Sequence, residues 1–233
     1  MDAPLDPSVL DALRRLDTPT VCNALEVVAP ERRGHGYSLV PFFCPRPELE
    51  PIVGYARTAT IRAMTPPEVT GEDAARHRVA YYRHIEEGPG PSIVVIQDID
   101  DHPGYGAWWG EVNTNVHQGL GALGVITNGS VRDIDDSAEG FQLLAGMPGP
   151  SHAWVRVEEF GVPVTVHGMA VEPGDLIHAD RHGAVVVPIE VAAAVPGAAA
   201  DIAAKEQVLI SASNEPGFSA DRIAAILGLE EGH

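Results

Sequence analysis

Two short, almost continuously apolar runs set one helix apart constrain this chain most. "SIVVIQDID" (92–100) and "GVIT" (124–127) flank "EVNTNVHQGLGAL" (111–123). Runs this short and this apolar, one preceded by "GPGP" and one followed by the turn Asn128-Gly129, read as strands buried on both faces. Between them Val112, Val116, Leu120 and Leu123 recur at helical spacing despite Gly119 and Gly121. Strand, loop, helix, strand is a βαβ-like unit with its loops at the strand ends. It places the chain among α/β proteins.

The flanking sequence fits that frame. Asp6 and Pro7 form a helix start, an N-cap followed by proline at the first helical position, and Val9, Leu10, Leu13 and Leu16 mark one helical face. Thr18 and Pro19 repeat the start signal before "TVCNALEVV". "YSLVPFF" (37–43) and "IVGYARTATIRAM" (52–64) read as strands. "TPPEVTGED" (65–73) is a loop whose Thr70 and Asp73 form a capping-box pattern, leading a helix to about Glu87. "DHPGYGAWWG" (101–110) reads as a glycine-rich loop. Residues 154–189 read as all-β, split by the turns "EPGD" and "DRHG". An alanine-rich helical region (190–213) and a short helix from about Ser219 close the chain. With no repeat and no long linker, one α/β domain over 1–233 with peripheral helices is expected.

Charge and composition narrow the chemistry. A net charge of −18 repels phosphate backbones and anionic lipid, so neither nucleic acid nor a membrane surface is an expected partner. No run of 18 apolar residues suggests a membrane span, and "MDAPLDPSVL" lacks signal-peptide character. Cys22 and Cys44 form no C-x-x-C, so a reduced, cytoplasmic setting is expected. Of 15 basic residues 14 are arginine, and Lys205 is the single lysine. It lies in "ADIAAKEQVLI", an exposed helix by its pattern, so imine chemistry has one poor candidate. Polar chemistry must then use carboxylate, arginine, histidine or metal.

Glu111 stands at the start of the 111–123 helix, where the free N–H groups of Val112 and Asn113 favour a carboxylate ligand. Arg132 and Asp133 follow the next strand, so the two loops are expected to approach. An arginine fork can grip a carboxylate in two places, and an aspartate beside it can hold a divalent cation through oxygen. Such a pair suits a small 2-oxo acid. Against this stands a plain structural reading, in which Glu111 caps its helix and Arg132 pairs with Asp135 or Asp136. His178, Asp180 and His182 form H-x-D-x-H and could share one face of a strand, but "DRHG" has the look of a turn. His117 is expected at the surface or behind the site, His77 and His84 on an exposed stripe. Trp108 and Trp109 could wall a pocket or pack at an interface. "GYGAWWG" lacks phosphate-loop spacing.

"GEVN" at 110–113, then "RDIDD" at 132–136 after twenty residues beyond Glu111, resembles the signature of the RraA-like, 4-hydroxy-4-methyl-2-oxoglutarate aldolase family. The pattern is an acid, twenty residues, Arg-Asp, and an acid three places on: here Glu111, Arg132, Asp133 and Asp136. "TPTVCNALE", "IVGYARTATI" and "VEPGDLIHADRHGAVVVP" follow family order, and the resemblance covers roughly 16–205. It implies a swivelling β/β/α fold, a homotrimer or homohexamer with sites between subunits, and a metal-dependent class II pyruvate aldolase. It implies that Asp133 binds Mg²⁺ or Mn²⁺ directly and that Glu111 holds the ion through water. Arg132 would contact the pyruvate unit, and the amides of Gly110, Glu111, Val112 and Asn113 would bind its carboxylate. The expected activity is cleavage of a 4-hydroxy-2-oxo acid to pyruvate and a second carbonyl compound, or decarboxylation of oxaloacetate. The alternative is a non-catalytic regulator that binds a ribonuclease; such relatives can lack the aspartate after the arginine, and this chain keeps Asp133. Two departures stand out. Position 111 is glutamate where the aldolases often have aspartate. Their C-terminal glutamate from a neighbouring subunit has Glu206 as a candidate counterpart.

Overall fold

The computed structural model describes residues 4–229. Its helices are α1 (Pro7–Arg14), α2 (Thr18–Val28), α3 (Gly71–Glu86), α4 (Glu111–Gly119), α5 (Val195–Ser213) and α6 (Ala220–Ile226). Its strands are β1 (Ile52–Arg62), β2 (Ser92–Asp98), β3 (Ala107–Trp109), β4 (Ala122–Thr127), β5 (Ser130–Val131), β6 (Gln142–Leu144), β7 (Met147–Pro148), β8 (Arg156–Phe160), β9 (Val164–Val166), β10 (Met169–Val171), β11 (Leu176–Asp180) and β12 (Gly183–Val187).

The main sheet runs β12-β11-β1-β2-β4-β6, with β8 also on β1. β1, β2, β4 and β6 are parallel neighbours, as the βαβ reading requires. β1 is the junction. Ile52–Tyr55 pair antiparallel with β11, Tyr55–Ile61 pair parallel with β2, and Ala59–Arg62 take β8 on the other edge. A small parallel sheet, β3-β5-β7, sits beyond the ends of β2 and β4, and β9 and β10 form a separate hairpin.

Each face of the sheet meets a different layer because strand side chains alternate. Val94 and Ile96 turn toward Tyr81 and Ile85 of α3 and toward Trp109 and Phe141. Ile93 and Val95 turn the other way, against the β9–β10 hairpin and Ile126. Leu13, Val21 and Leu25 of α1 and α2 cover Val53 and Tyr55 together with β11, β12 and α5. Each side chain fully buried this way contributes about 1.5–3 kcal/mol.

The helix starts follow the sequence signals with one shift. Asp6 caps α1 by accepting from Ser8 N–H, with Pro7 in the first turn. Asp17, not Thr18, caps α2 by accepting from Thr20 N–H. Thr70 precedes α3, but its side chain makes no capping bond. "YSLVPFF" forms only isolated bridges, Tyr37 with Val185 and Phe43 with Ala145. Leu39 and Val40 stay exposed there, and the prolines at 41 and 45 remove ladder donors. The "AWW" of the presumed glycine-rich loop is β3, and the helix from Glu111 ends at Gly119 because Gly121 takes φ +90°.

Candidate active site

Two loops converge beyond the parallel strands. Asn128 ties the strand ends together: its Oδ1 accepts from Asp98 N–H at 2.7 Å and its Nδ2 donates to Asp98 O at 2.9 Å. The chain then forms β5 beside β3, and Arg132 N–H donates to Trp109 O at 2.9 Å. That pairing delivers Arg132 and Asp133 to the start of α4.

The Asp133 and Arg132 side chains lie directly against Gly110. A Cβ on Gly110 would lie 2.6 Å from Asp133 Oδ2 and 3.2 Å from Arg132 Cγ. A side chain at 110 would displace the Asp133 carboxylate, so glycine is what leaves it this position. Gly110 also has no side chain with which to cap α4. The first helical bond is Thr114 N–H to Gly110 O, so the N–H groups of Glu111, Val112 and Asn113 precede it as free donors at the positive end of the helix.

Asp133 is a non-glycine residue at φ +49°, in the left-handed region. Strain of this kind persists where surroundings over-determine it, and it clusters at functional positions. Arg132 Nη1 lies 3.7 Å from Asp133 Oδ2, with both side chains 37% exposed. Among the described residues the Asp133 carboxylate makes no hydrogen bond, and Arg132 pairs with neither Asp135 nor Asp136, both exposed. The plain ion-pair reading of "RDIDD" therefore does not hold as drawn. Glu111 is exposed at the first helical position.

Arg132, Trp108, Val112 and Asn113 line one cleft of about 1220 Å³, with Tyr82, Arg78 and Trp154 on its other walls. Asn113 is held from three sides. Its Nδ2 donates to Trp108 O at 2.6 Å, Tyr82 Oη donates to its Oδ1 at 3.1 Å, and its carbonyl lies 2.6 Å from His117 Nδ1.

Of the two places expected for His117, at the surface or behind the site, the structure shows the second. It is fully buried, with Nε2 2.8 Å from Tyr81 Oη and its ring 4.6 Å from that of Trp109. Burial pushes its imidazole down to about 4, so it is neutral at pH 7. The arrangement requires Nδ1–H donating to Asn113 O and Nε2 accepting from Tyr81. Trp109 is core, Trp108 belongs to the cleft wall, His77 is exposed and His84 half-buried.

The rival H-x-D-x-H is used up internally. β11 ends at Asp180, and His182 lies in the turn. His178 Nε2 meets Leu13 O at 3.2 Å and Leu16 O at 3.0 Å, while Nδ1 faces Thr18 Oγ1 at 3.0 Å. Asp180 accepts from Thr18 N–H at 3.0 Å and His182 N–H at 2.8 Å. These bonds pin α1 and α2 to β11.

No three His, Cys, Asp or Glu side chains gather into a metal cage among the described residues. The donor at the Gly110 corner is the Asp133 carboxylate, and Glu111, the next residue along from Gly110, carries a second. That donor set suits a hard cation such as Mg²⁺ or Mn²⁺, which takes one or two carboxylates and fills its shell with water and substrate. Lys205 and Glu206 are exposed on α5, which contributes nothing to the cleft, so Glu206 would enter a site only in a neighbouring subunit.

The parallel sheet and its flanking layers define a mixed α/β protein. The model of the RraA-like family, described as Aldolase/RraA, matches residues 12–186, and the chain belongs to that family. A protein of Ectopseudomonas mendocina named "Putative 4-hydroxy-4-methyl-2-oxoglutarate aldolase" is 34% identical over 71 residues, 29% of this chain and 43% of that one. An uncharacterized protein from Pseudomonas syringae pv. tomato is 25% identical, with a TM-score of 0.70 over 94% of each chain. RraAS2 of Streptomyces coelicolor, described as an unusual member of the RNase ES inhibitor RraA family, is 23% identical, with a TM-score of 0.67 over 89% of this chain and 98% of that one. The matches cover 18% and 43% of the lengths of the curated relatives. Among the described residues no helix is long and apolar enough to cross a membrane.

Proposed function

We propose that this protein is a divalent-metal-dependent lyase that cleaves a 4-hydroxy-2-oxo acid to pyruvate and a second carbonyl compound, or decarboxylates oxaloacetate. The observation that carries the reading is the 2.6 Å between a Cβ built on Gly110 and Asp133 Oδ2. It puts an uncapped helix N-terminus, an arginine and an unbonded carboxylate in one corner. A 2-oxo acid needs those three things.

The amides of residues 111–113 and the Arg132 fork bind the substrate carboxylate and orient its keto oxygen. Asp133, with Glu111 through water, would hold Mg²⁺ or Mn²⁺. Bound there, the ion supplies Lewis-acid stabilisation to the oxygen on which charge develops. In the cleavage the C4 hydroxyl loses its proton, the C3–C4 bond breaks, and its electron pair leaves the three-carbon fragment as an enolate. Arg132 keeps a fixed positive charge beside that oxygen. Glu111 would accept the hydroxyl proton and return one to C3 through water. Decarboxylation leaves the same fragment, with carbon dioxide as the departing group. The cleft beyond Arg132 receives the rest of the substrate. Lys205, exposed on α5, takes no part.

The test is pyruvate release from oxaloacetate and from 4-hydroxy-4-methyl-2-oxoglutarate with Mg²⁺ or Mn²⁺, before and after EDTA. Turnover abolished by EDTA and restored by metal is expected. Absence of turnover on both substrates with either metal would favour the regulator of the same family, and ribonuclease inhibition would then be assayed directly.

A further inference from the structure

The Gly110 corner is built by groups far from it in sequence. The loop that follows Asp133 has its carbonyls gathered by one side chain, Arg46. Its Nη1 donates to Ala138 O at 2.5 Å, and its Nη2 donates to Ser137 O at 2.7 Å and to Ile134 O at 3.3 Å. The segment carrying Arg46 is itself anchored, because Phe43 and Ala145 exchange both backbone bonds, at 2.7 and 3.1 Å. From the other side Thr114, fully buried on α4, joins the two loops through a single oxygen. Thr114 Oγ1 accepts from Ala138 N–H at 2.9 Å and donates toward Gly110 O at 2.9 Å, with Glu111 O at 3.0 Å. Ser137 Oγ closes the turn by donating to Asp133 O at 2.9 Å.

We infer that Arg46 and Thr114 are positioning residues that hold Asp133 in its left-handed conformation and set its distance from the start of α4. Neither touches the Asp133 carboxylate; each acts through backbone. The left-handed conformation of Asp133 is disfavoured and persists only where neighbouring bonds fix it. Arg46 spans three carbonyls because its donors lie in a rigid planar fork, whereas an ammonium offers a point charge. Charge at 46 is therefore not enough; the fork is required. Thr114 is required for its hydroxyl, since that oxygen both accepts and donates.

The metal part of this inference rests on the proposed function; the loop-ordering part does not. The experiment compares Arg46→Lys, Thr114→Val and Thr114→Ser with wild type by amide hydrogen exchange and by Mn²⁺ titration with oxalate, read by electron paramagnetic resonance. In R46K and T114V, residues 132–138 are expected to exchange at least ~10-fold faster while β2 and β4 peptides are unchanged. Mn²⁺ affinity should fall ~10–100-fold in both, the usual effect of losing groups that orient a ligand. T114S should match wild type in both readouts, because it restores the hydroxyl. Wild-type protection and wild-type affinity in R46K and T114V would overturn the inference. So would a lower melting temperature with Mn²⁺ affinity intact, which would leave the two residues merely structural. If the wild type itself binds no Mn²⁺, the metal reading falls and the exchange data decide alone: selective loss over 132–138 sustains the positioning role, and unchanged protection ends it.

Discussion

Among the places where an aspartate stands beside basic groups, two behave as opposites. At the end of β11, Asp180 accepts from two backbone amides and His178 spends both ring nitrogens on Thr18 and helix carbonyls. Burial raises the Asp180 carboxyl, but the bonds from Thr18 and His182 outweigh it and leave it below the usual range. At the Gly110 corner the Asp133 carboxylate has, among the described residues, no hydrogen bond and one charged neighbour, Arg132 at 3.7 Å, and the first amides of α4 precede the helical ladder. The same residue types thus make a fastener in one place and leave spare valence in the other, at a corner whose Arg132, Val112 and Asn113 line the cleft while Gly110, Glu111 and Asp133 do not. Chemistry requires groups with bonds still to make, so the difference identifies the second place as the candidate site.

Removing Asp133 attacks that difference most directly. Asp133→Ala should lower metal-dependent pyruvate formation at least about a thousandfold with little change in melting temperature. An active mutant would dissolve the contrast. Next in size is acid lability, which should come from the packed regions rather than the site. The folded-state value of His117 lies near 4 and the unfolded value is about 6.5. The unfolded chain therefore takes up a proton that the folded state refuses. The stability from His117 is present above pH ~6.5 and is lost as pH falls toward 4, by about 3 kcal/mol in all. His178, also lowered by burial, acts in the same sense. Urea unfolding at pH 7.5 and 4.5 measures the loss; a flat profile would place both histidines in wetter surroundings.

Arg132→Lys should cost about a hundredfold in kcat/KM although charge is kept, because the fork becomes one donor; steady-state kinetics check this. Asp180→Asn should do the reverse. It should cost roughly 1–3 kcal/mol of stability, since a buried amide is left with a poorer acceptor, and change kcat less than about twofold. A large loss of kcat there would mean that the fastener also reaches the site. Smallest of all is the effect at Lys205: borohydride with pyruvate should trap no adduct, as mass spectrometry would show.

Much of this was legible in the sequence. The apolar runs at β2 and β4 identified the parallel pair, and the two loops expected to approach do so, Gly110 against Arg132 and Asp133. What stayed hidden depends on contacts between distant segments. Arg46 lies about 90 residues from the carbonyls it gathers, and no local pattern marks it. His117 lies six residues past Glu111, on another face of its helix, which left surface and interior both open; Tyr81 and Trp109 enclose it. "YSLVPFF" carries the composition of a strand, but it only bridges the two end strands of the sheet, Tyr37 at β12 and Phe43 just after β6, and Pro41 between them cannot donate. Glu206 lies on a helix that only another copy of the chain could bring to a cleft.

The three-way pairing of β1 sets where the length of this chain can change. Within 52–62 a single inserted residue would slip part of the pairing with β2, turn the side chains on one side of it to the opposite face, and break the register between the β11 and β8 ends of the strand. Between Thr65 and Thr70 the same insertion would disturb only the cleft rim. Diversification of what the protein accepts has that rim as its open ground, while the strand beneath admits substitution but not a change of register.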